Sequence, residues 1–203
     1  MRPKIRFFTP RDFLLQLHRD LFKIENHCPP DFYFEKLSEF EIFILILEDR
    51  RFFRHFGIDL RSCFREFFRL ATFRNHGGAS TIDMQFVRTV TGYKERTLKR
   101  KLYEMLLAIT IQSKYTKLEI LHAYLNCAFF GSHLIGADSA SRAIFGKRAD
   151  ELDFNDASFL AATLVYPKPL RPTDSWIRKV ERRAKYARSL HPLLKKRFEQ
   201  LPR

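Results

Sequence analysis

Six apolar residues in succession, Ile42 to Leu47, run into two adjacent carboxylates, Glu48 and Asp49. A run of this length fits a buried strand or a buried helix equally well. The residues before it decide between them. Ser38-Glu39-Phe40-Glu41 has the S-x-x-E form of a capping box, in which serine and glutamate each satisfy a backbone N–H at a helix start. The segment therefore reads as a buried helix, and Glu48 and Asp49 fall at its exit. An ionised carboxylate dragged towards the interior is poorly solvated, and its pKa is expected to rise. That is how a glutamate becomes a general acid or base. Pairing with Arg50, Arg51 or Arg54 on a solvated surface would account for the same residues, and this stretch alone leaves both readings open.

The rest of the composition narrows the fold. Only 7 of 203 residues are glycine, while 45% are apolar and 22 are phenylalanine. Scarce glycine argues against a turn-rich all-β chain and for a mainly α domain, with at most a small extra lobe. The formal charge of +14 calls for an anionic partner: nucleic acid, anionic lipid or a phosphorylated substrate. Cys28, Cys63 and Cys127 are far apart and form no C-x-x-C pair, so no metal site is expected. No run of eighteen apolar residues encodes a membrane span, and the N-terminus lacks the apolar core of a signal peptide.

Three parts are expected along the chain: a basic amphipathic segment over 1–37, the main domain over 38–172, and a basic helical tail over 173–203. After Pro10, the residues Phe13, Leu14, Leu17, Leu21 and Ile24 recur at helical spacing among Arg11, His18, Arg19 and Lys23. Such a helix suits a membrane interface or packing on its own domain. Cys28-Pro29-Pro30 ends it, and residues 31–37 read as a connector. Leu60 to Phe73 reads as an aromatic-rich helix with Arg61, Arg65 and Arg69, and Arg74 just beyond. Gly77-Gly78 then permits a tight loop, and Ser80 or Thr81 can cap the helix behind it, a ready anion site.

Lys94 to Gln112 reads as one helix. Leu98, Leu102, Met105, Leu106 and Ile109 form its apolar stripe, with Arg96, Arg100, Lys101 and Glu104 on the other face. Glu104, like Glu48, sits at the mouth of an apolar segment; a surface pair with Arg100 is the simpler account. Thr116 to Glu119 is a second capping box, and its helix is expected to continue to Gly131. Asp153 to Val165 reads as a further helix stopped by Pro167, Pro169 and Pro172. The tail reads as one or two helices broken near Pro192.

In order, these segments resemble the peptidoglycan glycosyltransferases, or family 51 glycosyltransferases. Their motif E-D-x-x-F-x-x-H-x-G is complete here as Glu48, Asp49, Phe52, His55 and Gly57. Their G-[GA]-S-T-I-T-Q-Q-x-x-K-N is similar to Gly78 through Thr89. R-K-x-x-E is Arg100 to Glu104, and K-x-x-I-L-x-x-Y-L-N is Lys117 to Asn126. Ile144 to Lys147 and Ala157 to Ala161 resemble two later elements. The likeness runs from about Ser38 to Pro172.

The resemblance implies a mainly α, lysozyme-like fold with a small jaw facing the membrane. It implies an inverting enzyme that polymerises lipid II: the acceptor 4-hydroxyl attacks the donor's anomeric carbon and a polyprenyl pyrophosphate leaves. Glu48 matches the general base and Glu104 the second essential carboxylate. Gln85, Arg88, Arg96 and Lys101 match binders of the donor pyrophosphate and sugar. Asp49, Phe52, His55, Ser80 and Arg100 complete the expected substrate side, with Asp49 a structural neighbour of Glu48 and Phe52 and His55 supports for its loop. A hydroxyl needs a base to become a good nucleophile, and a departing pyrophosphate needs fixed positive charge. No cofactor is required by the sequence, although the family can use a divalent cation, Mg or Mn, on the pyrophosphate. Expected partners are lipid II, the growing glycan, an anionic membrane surface and cell-wall synthesis proteins, with no nucleic acid, at the periplasmic face of a bacterial inner membrane.

The second motif departs from the family. Asp83 replaces a threonine, Met84 a glutamine, Arg88 a lysine and Thr89 an asparagine. Asp83 would weaken donor binding if it pointed into a pyrophosphate site. A non-catalytic lipid II-binding paralogue is therefore the alternative to an active enzyme, and an unrelated nucleic-acid binder is a third reading.

Overall fold

The computed structural model describes residues 5, 9–28, 36–71 and 80–200, and it is mainly α, as expected. The paired glycines Gly77-Gly78, Pro29-Pro30 and the end of the aromatic helix at Phe73-Arg74 lie outside the described residues. The chain divides into two compact units, Met1–Phe32 with Arg54–Tyr124, and Tyr33–Phe53 with Leu125–Arg203.

The first unit holds α1 (Pro10–Glu25), α3 (Leu60–Ala71), α4 (Ile82–Thr91), α5 (Leu98–Gln112) and most of α6 (Lys117–Cys127). Thr9 and Asp12 form a capping box at the head of α1, with Pro10 in the first helical position, where its missing N–H costs nothing. α1 packs on α4 and α5, the second of the two fates open to it. Its inner face is unusual, because the buried residues are Ile24 and Asp20. The Asp20 carboxylate accepts from the hydroxyls of Tyr93 (2.7 Å) and Tyr103 (3.0 Å) and from Lys23 Nζ (3.3 Å). Burial, and then Asp20 itself, push both phenols well above their ordinary range.

α5 departs from expectation in two ways. It begins at Leu98, four residues late, because Thr97 takes the cap by accepting from Arg100 N (3.2 Å). Its apolar stripe also faces outward: Leu98 is 75% and Leu102 57% exposed, and Leu106 and Ile109 are exposed too. Tyr103, Glu104, Leu107, Ala108 and Ile111 are the buried residues. The helix carries two apolar rows, and spacing cannot say which one the domain covers. α3 repeats the pattern with Leu60, Phe64 and Phe68 exposed one turn apart, and α1 leaves Leu14, Leu15 and Phe22 exposed.

The second unit is built on α2 (Glu39–Glu48), the helix foreseen from the capping box. Ser38 Oγ accepts from Glu41 N, and Glu41 Oε2 accepts from Ser38 N. α8 (Phe154–Val165) and α9 (Asp174–Glu199) pack against it, so Phe40 to Leu47 are buried all round. Each large apolar side chain so covered contributes about 2 kcal/mol. α9 runs antiparallel to α2: His191 lies beside Glu39, and Arg183 beside Leu47.

The break expected near Pro192 does not occur. α9 is one helix through the proline, held by a buried stripe of Val180, Ala184, Ala187, His191 and Phe198. The His191 ring sits 5.0 Å from those of Phe43 and Phe154. Glu39 pairs with His191 Nε2 (2.5 Å) and with Lys195. Packing on both sides of Pro192 outweighs the hydrogen bond it removes.

The helix expected to run to Gly131 stops at Cys127. The chain turns into a hairpin, β1 (Phe129–Gly131) with β2 (Leu134–Ile135), before α7 (Ala137–Phe145). Lys168 supports the hairpin: its N–H donates to Phe130 O and its carbonyl accepts from Ser132 N, both at 2.8 Å. A Cβ at Gly131 would lie 2.4 Å from Lys168 O, so only glycine fits there.

Candidate active site

In the first unit, pieces of four sequence motifs meet. Gly57 has φ of +73°, and a Cβ there would stand 2.5 Å from Ala108 O of α5. The Gly57 carbonyl accepts from Thr81 Oγ1 (2.7 Å), and the same hydroxyl accepts from Met84 N to cap α4. One threonine thus ties the end of the first motif to the start of the second, against the backbone of α5.

That tie sets the faces of α4. Asp83 and Met84 turn inward and are fully covered, while Gln85 and Arg88 are half-buried. Residues three apart share a face, so Gln85 and Arg88 stand together. Tyr124 donates to Gln85 Oε1 (2.8 Å), which fixes the amide. On α5, Lys101 Nζ donates to Ser80 Oγ (2.9 Å) and lies 3.7 Å from Glu104 Oε2. Arg100 pairs with Glu104 Oε1.

Glu104 is 0% exposed, so its pair with Arg100 is not a surface bridge. Its Oε2 is buried without a hydrogen-bond partner, and so is Arg100 Nε. A buried acceptor and a buried donor without hydrogen-bond partners thus lie in one polar cluster, held by ion pairs. Burial, with Arg88 and Arg100 nearby, lowers the Lys101 pKa; Glu104 opposes this. The cluster is cationic and hydroxyl-bearing, with one carboxylate at its centre. Arg96 is exposed on the extended stretch before α5 and stands outside this hydrogen-bonded set.

Asp83 does not burden that cluster in the way its sequence position suggests. Both its oxygens pair with Lys117 Nζ, at 2.9 and 3.0 Å, and His55 Nδ1 lies 4.0 Å from Oδ2. A cation from the fourth motif therefore neutralises the charge that the second motif gained. Met84 is core, 1% exposed. Lys117 and Tyr124 were missed as site residues, although both occupy fixed positions of the fourth motif.

In the second unit, Glu48 is half-buried as the last residue of α2. Asp49 is buried and its Oδ1 accepts from Arg51 N (3.2 Å), closing the turn after the helix. Phe52 is fully buried with its ring 5.2 Å from that of Phe53, so it holds the turn and offers no surface to a substrate. Arg50, read from the sequence only as a possible partner of the two carboxylates, gathers at this end of α2 with two residues that had no signal there, Arg183 and Tyr186. Arg50 Nε donates to Ile46 O (3.0 Å), Arg183 Nη2 donates to Leu47 O (3.3 Å), and Arg50 Nη2 donates to the Tyr186 hydroxyl (2.6 Å).

The described chain is thus mainly helical, with a half-buried glutamate at a helix end in one unit and a glutamate buried in a cationic cluster in the other. The chain belongs to the transglycosylase family, whose model matches residues 33–191. It is 40% identical over 138 residues to penicillin-binding protein 1A of Escherichia coli K12, covering 67% of this chain and 16% of that protein. It is 35% identical over 135 residues to a biosynthetic peptidoglycan transglycosylase of Shewanella denitrificans, covering 66% of this chain and 59% of the relative. A penicillin-binding protein 2a of Streptococcus pneumoniae D39 is 35% identical over 132 residues, 65% of this chain and 18% of that protein. The chain thus matches about a sixth of the length of the penicillin-binding proteins.

Proposed function

We propose that this chain is a peptidoglycan glycosyltransferase that joins lipid II units into glycan strands. The observation that carries the reading is Glu104, fully buried and paired with Arg100 and Lys101, the latter bonded to Ser80, inside the segment matched to the transglycosylase family. Glu48 takes the proton from the acceptor 4-hydroxyl as its oxygen bonds to the donor's anomeric carbon, with inversion. The bond from that carbon to the pyrophosphate breaks, and the leaving group carries away the electron pair. Lys101, Arg100 and Arg88 supply fixed positive charge where the leaving group's negative charge builds up. Glu104 holds Lys101 and Arg100 in place and so acts on the donor through them.

A resident divalent cation does not fit this donor set. Hard cations take several oxygen ligands, mostly carboxylates and carbonyls. Here the one carboxylate is already paired and the other groups are cationic or hydroxyl.

The enzyme works at the surface of an anionic membrane, on its periplasmic face. Support comes from the exposed apolar rows of α1, α3 and α5, interleaved with the exposed Arg11, Arg19, Arg61, Arg65 and Lys99. Among the described residues no helix is long and apolar enough to cross a membrane. The non-catalytic alternative is not favoured, because Asp83 is paired with Lys117 and Met84 is core. Incubation with labelled lipid II in detergent should give glycan polymer from the native chain. Glu104→Gln should cut the rate about a hundredfold or more; unchanged polymer from that variant would remove Glu104 from the site.

A further inference from the structure

The C-terminal end of α2 is not closed by a glycine cap. No basic residue lies in its last turn, no glycine follows, and its cap is the acidic Asp49. Two carboxylates, Glu48 and Asp49, therefore stand at the negative end of the helix dipole, where cations are wanted. The last carbonyls of a helix also have no partner within it. Here Leu45 O accepts from Asp49 N (3.1 Å), and the next two carbonyls go to arginine side chains. Ile46 O is held by Arg50 and Leu47 O by Arg183, which reaches across from α9.

The two guanidiniums are joined through one ring. Arg50 Cζ lies 5.5 Å and Arg183 Cζ 5.4 Å from the Tyr186 ring centroid, both within cation–π range, and Arg50 also donates to the Tyr186 hydroxyl. Tyr186 and Arg183 are three apart on α9, so one rigid helix sets both. A lysine could supply the charge at either place but not the planar fork that bonds a carbonyl and stacks on a ring together.

We propose that Arg183, with Tyr186 and Arg50, is a positioning clamp for the catalytic base: it fixes the last turn of α2 and so fixes the direction in which Glu48 leaves the helix. Arg183 acts through the backbone of Leu47 and does not touch substrate. The clamp has this role only if Glu48 is the base, as proposed above. Placement matters there because a proton transfer fails when the base is displaced by a fraction of an ångström to an ångström.

The test measures steady-state polymerisation of labelled lipid II by the full chain for Arg183→Met, Arg183→Lys and Tyr186→Leu, with Glu48→Gln alongside. Folded fraction is followed by circular dichroism. Arg183→Met should lower kcat about tenfold with KM within twofold of the native value and the folded fraction unchanged. Arg183→Lys should recover part of the loss. Should Arg183→Met fail to fold, Tyr186→Leu, at a 41% exposed position, carries the test and should show the same split. A native kcat in the folded variants, or a rise in KM at constant kcat, overturns the clamp while leaving Glu48 as base. Full activity of Glu48→Gln overturns the base itself, and the clamp with it.

Discussion

At the scale of the residue, Asp83 is the departure that most sharpens the account. In the sequence it is a negative charge in the wrong motif. In the fold it is a fully buried partner of Lys117, which is only 10% exposed itself. Removing one member of a buried pair strands the other as an unpaired buried charge, which costs about 3–5 kcal/mol. Asp83→Ala should therefore lower unfolding stability by that order in urea denaturation. The double variant Asp83→Ala with Lys117→Met should recover most of the loss. A loss in the double variant equal to the sum of the losses in Asp83→Ala and Lys117→Met alone would show that the pair is not coupled. No reading of the chain alone could have found this pair, because 34 residues separate its members and nothing local joins them. Glu104 was legible as a candidate, since its motif and its arginine neighbour are local. Its complete burial was not, because that depends on which face of α5 the domain covers.

At the scale of the element, local chemistry was readable and tertiary choice was not. The capping boxes at Ser38, Thr9 and Thr116 are written within four residues, and the structure forms their bonds. The starts of α2 and α8 follow from such signals. The hairpin after Cys127 has no comparable signal; it depends on Lys168, far along the chain. Pro192 is the reverse case, a strong local stop signal overridden by packing. Because α9 already runs through it, Pro192→Ala should restore a helical N–H without disturbing the stripe. Stability should rise by about 1–3 kcal/mol, read as a higher denaturation midpoint. A lower midpoint would mean that the ring itself is a needed packing element.

At the scale of the whole molecule, the exposed apolar rows carry the proposal that the protein works at a membrane surface. Beside its apolar core the chain covers Asp20 and Glu104, while Leu98, Leu102, Phe64 and Phe68 stay exposed. Those rows need an apolar partner that also tolerates arginine and lysine, and an anionic bilayer is such a partner. Replacing Phe64 and Leu102 together by glutamate should reduce co-sedimentation with phosphatidylglycerol vesicles about tenfold or more. Thermal stability should stay near native, since both positions are already exposed. Undiminished vesicle binding would place the membrane contact elsewhere.

The central claim is that Glu48, released from the end of a buried helix, is the base that activates an acceptor hydroxyl. Its most direct test is the rate of glycan polymer formation from labelled lipid II by Glu48→Gln. That substitution keeps the shape and removes the basic oxygen. General-base catalysis predicts a fall of about a thousandfold, to no detectable polymer, with lipid II binding and the folded fraction unchanged. Polymer at the native rate from folded Glu48→Gln would contradict the account.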